Sequence, residues 1–141
     1  MNPLALERFI QPLLPYFFGL WMLIVIYFTM APDLMVKPAT RLLNPGIGHV
    51  ILFGGWTTLL GFTLLISFKR SNISLLILWI AGVLFGGFIE ILQSILPFER
   101  DGNWLDVGLN AIGCTLAVLI ILLYRGYRNS YIERMKTQIE P

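Results

Sequence analysis

The sequence predicts an all-α membrane protein, a four-span transmembrane helical bundle with both termini on the cytoplasmic side. Three observations lead there. The 141 residues are 57% hydrophobic and only 13% charged, where a soluble domain carries about 25% charged residues. The apolar residues gather in four runs, each close to the roughly 20 helical residues that cross a hydrocarbon core about 30 Å thick. The basic residues between the runs are unevenly shared, which fixes an orientation.

The first run is 13–30, LLPYFFGLWMLIVIYFTM. Pro12 and Pro15 suit the first turn of a helix, where a missing N–H costs nothing, and Pro32 discourages continuation. The run is too long for the apolar core of a signal peptide and lacks a small-x-small cleavage site, so it reads as a retained span. The second run is 46–68 and ends at Lys69 and Arg70. The third, 73–96, is closed by Pro97, and the fourth covers 104–124. The remainder, 125–141, is a basic tail with Arg125, Arg128, Arg134 and Lys136, either an amphipathic helix or disordered. No repeat and no long linker divides the chain, so 1–141 reads as a single domain.

With the N-terminus inside, the inner segments hold seven basic residues: Arg8, Lys69, Arg70, Arg125, Arg128, Arg134 and Lys136. The outer loops hold three: Lys37, Arg41 and Arg100. The excess favours two cytoplasmic termini. The net charge of +2 gives no ground for a nucleic-acid partner, because the basic residues flank helices. The single cysteine, Cys114, excludes an internal disulfide and lies within an apolar run, as a packed core thiol does.

The polar residues inside the runs are not scattered. His49 lies near the start of span 2, Glu90 and Gln93 near the end of span 3, and Asp106 and Asn110 near the start of span 4. In an up-down bundle all these ends meet on the outer side. At about 1.5 Å per residue, Glu90 and Asn110 lie roughly 10 Å deep and Gln93, Asp106 and His49 roughly 4–6 Å deep. Glu90 and Gln93 are spaced i, i+3, and Asp106 and Asn110 i, i+4, so each pair shares a helix face. An ionised group at bilayer depth costs about 3 kcal/mol even on the mildest scale, so such residues face the bundle interior and have partners. Arg100, in the loop between spans 3 and 4, is the expected cation for Glu90 or Asp106. Simpler roles exist for some members. Asn103 can cap span 4 with Asp106 at the third helical position, close to a capping box, and Arg100 stands among other loop charges.

Glycines at helical spacing, Gly54, Gly55 and Gly61, Gly82 and Gly86, and Gly108 and Gly113, let helices approach closely and open a route to a homo-oligomer.

A histidine opening one span, then E-x-x-Q before a proline, then an arginine, then D-x-x-x-N-x-x-G, resembles the VanZ-like family of bacterial integral membrane proteins. The pieces here are GIGH ending at His49, EILQ from Glu90 to Gln93, Arg100, and DVGLNAIG from Asp106 to Gly113, covering about 44–115. Many members carry an Asp-Lys pair shortly before the histidine, whereas this chain reads NPGIGH with Asn44. The resemblance implies a multi-pass protein of the bacterial cytoplasmic membrane and a family whose founding member is associated with resistance to the lipoglycopeptide teicoplanin.

The expected function is binding. His49, Glu90, Gln93, Arg100, Asp106 and Asn110 form an outer-face site for a polar lipid or lipid-linked headgroup, with no cofactor and no assigned metal. An enzymatic alternative uses Glu90, His49 and Asp106 for acid–base or metal-assisted chemistry on that headgroup. HExxH, GxSxG and a placed cysteine nucleophile are all missing from the sequence. Proton relay and a purely structural polar cluster complete the alternatives.

Overall fold

The computed structural model describes residues 3–31, 45–95 and 103–139. Its elements are helices α1 (Pro3–Ile10), α2 (Leu14–Met30), α3 (Pro45–Phe62), a π-helical turn (Thr63–Ser67), α4 (Leu75–Ile95) and α5 (Trp104–Ile139). Three helical stretches are long and apolar enough to cross a membrane: Gly46–Ser67, Leu75–Ile95 and Trp104–Gln138. A fourth is obtained if α1 and α2, bent by 63° at their junction, count as one span. The protein is thus all-helical among the described residues, with three or four candidate spans.

The bend follows from the two prolines. Pro12 and Pro15 have no N–H to give to the carbonyls four residues back. The carbonyl of Gln11, which Pro15 leaves without a helical donor, accepts instead from the Ser67 hydroxyl at 2.6 Å, across the bundle. Glu7 of α1 accepts from Arg128 Nε at 2.6 Å and from the Tyr124 hydroxyl at 2.8 Å. Arg125 donates to the Ser71 carbonyl at 2.7 Å. One end of the bundle is therefore tied by Glu7, Ser67, Ser71, Arg125 and Arg128. α1 was not legible as an apolar run, because it is a short amphipathic helix with Glu7 turned inward and Phe9 outward.

The second apolar run ends in the π turn, where Phe68 N–H bonds to the Thr63 carbonyl at 3.0 Å. Lys69 follows with φ of 53°, a left-handed value, and Arg70 N–H closes back on the Leu64 carbonyl at 2.9 Å. The basic tail is helical to Ile139 in continuity with span 4. At 1.5 Å per residue, 36 residues reach about 54 Å, so α5 extends well past a hydrocarbon core of about 30 Å.

α3 and α5 form the central contact, with α2 and α4 packed around them. Their crossing is so close that a Cβ on Gly54 would stand 3.0 Å from the Gly113 carbonyl oxygen, and one on Gly113 3.0 Å from the Gly54 nitrogen. Gly82 of α4 lies against Thr57 and Cys114, and Gly86 against Asn110. These glycines pack helices within the chain; Gly87 and Gly108 have open space beside them. The core gathers Val25, Phe53, Trp56, Ile89 and Cys114. Trp56 stacks on Phe85 with ring centres 4.6 Å apart, and Thr57 donates to the fully buried Cys114 sulfur at 3.2 Å. Leu76, Ile77, Leu84, Phe88 and Ile91 of α4 point outward, a continuous apolar face suited to lipid.

Candidate functional site

At the end opposite the Glu7–Arg128 tie, the first turns of α3 and α5 meet the last turns of α4. His49 is carried by α3 on its fifth residue and its ring stacks over Phe53 one turn below, with centres 6.2 Å apart and planes 10° from parallel. Phe53 is fully buried, so the imidazole rests on a fixed platform. The His49 Nδ1 lies 3.1 Å from Asn110 Oδ1. With the amide oxygen as acceptor, Nδ1 carries the proton and Nε2 is left with its lone pair, unless the ring is doubly protonated.

Two carboxylates flank this ring. Glu90 Oε1 of α4 is 3.6 Å from Nδ1, and Asp106 Oδ2 of α5 is 3.7 Å from Nε2. Both distances are within ion-pair reach of a doubly protonated ring and too long for hydrogen bonds. The Glu90 side chain is 6% exposed, His49 18% and Asp106 25%, so the cluster opens outward past Asp106 and His49. Asn110 is fully buried, and its Nδ2 has no hydrogen-bond partner among the described residues, lying beside Gly86. Glycine at 86 is what leaves room for the amide at the ring.

Glu90 has a second task. Its Oε2 accepts the backbone N–H of Asn103 at 3.1 Å. In a capping box, Asp106 would reach back to that N–H. A carboxylate from the neighbouring helix takes it instead, and Asp106 faces His49. Asn103 still caps locally, its Oδ1 accepting from Leu105 N–H at 3.0 Å. Both carboxylates sit at the N-terminal end of α5, where the helix dipole favours negative charge by about 0.3–1 kcal/mol each.

The structure therefore brings His49, Glu90, Asp106 and Asn110 together. Gln93 turns to α2, donating to the Thr29 carbonyl at 2.7 Å, and so ties the wall of the site. Arg100 lies outside the described residues, as do Lys37 and Arg41. The two layers expected from depth are joined rather than stacked, since the imidazole contacts both Asn110 and Asp106 one turn apart. The backbone N–H of Asn103 and the carbonyl of Thr29 were not foreseen as participants, because main-chain groups leave no mark in a sequence.

One donor atom from each of His49, Glu90 and Asp106 lies within 4.8 Å of the other two, a spacing within reach of a shared cation. Beside the cluster, Gly46, Ile47, Val50 and Leu109 line a shallow apolar groove of about 320 Å³ between α3 and α5. The chain matches no family model, no curated protein and no solved structure.

Proposed function

We propose that this is a four-span protein of the VanZ-like type in the bacterial cytoplasmic membrane, with both termini cytoplasmic, that binds a polar lipid or lipid-linked headgroup at its outer face. The observation that carries the reading is the convergence of His49, Glu90, Asp106 and Asn110 from three helices at one end of an otherwise apolar bundle. The described basic residues that flank the spans, Arg8, Lys69, Arg70, Arg125 and Arg128, belong to the other end, and the positive-inside rule puts that end in the cytoplasm. In this reading the carboxylates meet amine or hydroxyl groups of the ligand, and His49 and Arg100 meet its phosphate. The apolar groove at Ile47 and Val50 receives the start of an acyl chain. Masking or altering such a lipid in the outer leaflet would link the protein to resistance against an acylated, membrane-anchored antibiotic such as teicoplanin.

The Asp106–His49 pairing also favours a second reading, acid–base chemistry on the same headgroup, which would show as headgroup turnover in place of retention. Native mass spectrometry in a mild detergent tests the binding. The wild type is expected to retain one lipid class, and Glu90→Gln and Arg100→Ala to lose it while keeping their helical content. A wild type that carries only the bulk lipid mixture would end the proposal.

A further inference from the structure

We infer that His49, Glu90 and Asp106 are the protein ligands of a divalent metal ion of zinc type, the ion presenting open positions to the headgroup phosphate; the role of the ion rests on the headgroup reading, its binding does not. One histidine with two carboxylates is a ligand set that zinc accepts, and three protein ligands leave a position for substrate. Ligands held at about 2.0–2.2 Å around a tetrahedral ion stand roughly 3.4 Å from one another. The three donor atoms here lie within 4.8 Å of one another, so closure needs movements of about 1 Å, which a turn of the terminal carboxylates supplies.

The stronger observation lies one step out from the ligands. A metal-bound histidine nearly always gives its other ring N–H to a fixed acceptor, and ligating carboxylates are themselves held by hydrogen bonds. Asn110, fully buried, stands 3.1 Å from His49 Nδ1 and so directs Nε2 toward Asp106 and the opening. The Asn103 N–H holds Glu90 Oε2 and turns Oε1 to the ring. Asp106, released from capping by that same bond, is left as a carboxylate facing Nε2. A purely structural pair would gain more if Asp106 approached Nε2 to hydrogen-bond distance. Here Asp106 Oδ2 stays 3.7 Å from Nε2, close to the spacing of two ligands on one ion.

The ion would lie between two carboxylates, which by themselves repel a phosphate, and would take over from His49 the contact with the headgroup phosphate. Bound metal reverses that sign and turns an acidic site into an anion receptor. Asn110 is a positioning residue in this scheme and touches neither metal nor lipid.

The test is a titration of chelator-stripped protein in detergent with Co²⁺, which reports its own coordination by visible absorption, and with Zn²⁺ in competition. The wild type is expected to give intense four- or five-coordinate cobalt bands at one equivalent that Zn²⁺ displaces. His49→Ala is expected to abolish them, and Asn110→Leu to weaken affinity roughly 10–100-fold. A wild-type spectrum that stays that of hexaaqua cobalt overturns the inference, whatever the variants do. Unchanged affinity in His49→Ala overturns it too. Lipid retention is read separately: retained lipid with no cobalt bands removes the metal alone, and cobalt bands without any lipid class remove the headgroup reading alone.

Discussion

Replacing Gly113 with leucine is expected to destroy the bundle, lowering stability by about 3 kcal/mol or more, whereas the same change at Gly87 is expected to leave it nearly unchanged. Inserted volume in a close-packed interior costs about 1–3 kcal/mol when side chains can yield, and more when they cannot. Around Gly113 the neighbours that a Cβ would strike are the Val50 carbonyl and the Gly54 nitrogen, both main-chain atoms of α3. They move only if the helix moves, and α3 carries His49. Gly87 faces nothing within 4 Å. Thermal unfolding in detergent, followed by circular dichroism and protease resistance, separates the two. Equal losses would show that α3 and α5 do not cross at Gly54 and Gly113.

The second large effect concerns the ring at the centre of the cluster. His49→Ala is expected to cost roughly 1–3 kcal/mol, because the buried Asn110 loses the partner of its Oδ1 and Phe53 loses the ring stacked on it. The ring also separates the Glu90 and Asp106 carboxylates, and its removal leaves these like groups facing one another at a depth where charge is costly. Taking one of those charges away should therefore restore stability. The double variant His49→Ala with Glu90→Gln is expected to be more stable than the sum of the single losses by about 1–2 kcal/mol, a coupling typical of residues in contact. Additivity within about 0.5 kcal/mol would mean that His49 and Glu90 do not interact.

Much of this architecture is written in the apolar runs. The second and third runs coincide with helices to within a few residues, because lipid-length apolar segments have few other ways to satisfy their backbone. The clustering of His49, Glu90, Asp106 and Asn110 was legible from position alone, since alternating helices return every second end to the same side. What was not legible depends on backbone and on fine rotation about helix axes. Glu7 reads as an isolated acid in a short segment ahead of the first run; only the 63° turn after α1 brings it to Arg128 and Tyr124. Gln93 sits near Glu90 on the helix face, but three residues of rotation and one turn of rise aim it at Thr29 of α2. The capping pattern at Asn103 and Asp106 is correct as a sequence signal. It gives way to a partner from another helix, Glu90, which local spacing cannot reveal.

In the proposed function the open end of the cluster meets a chosen lipid headgroup in the membrane. A photo-crosslinking residue placed at Ile47, which is half-exposed in the groove beside His49, tests it most directly in intact membranes, with Leu84 on the outer face of α4 as the reference position. Adducts at Ile47 are expected to be dominated by one headgroup class, adducts at Leu84 to mirror the bulk lipid mixture, and Glu90→Gln to return Ile47 to the bulk pattern. Adducts at Ile47 that match the bulk mixture in the wild type would contradict it.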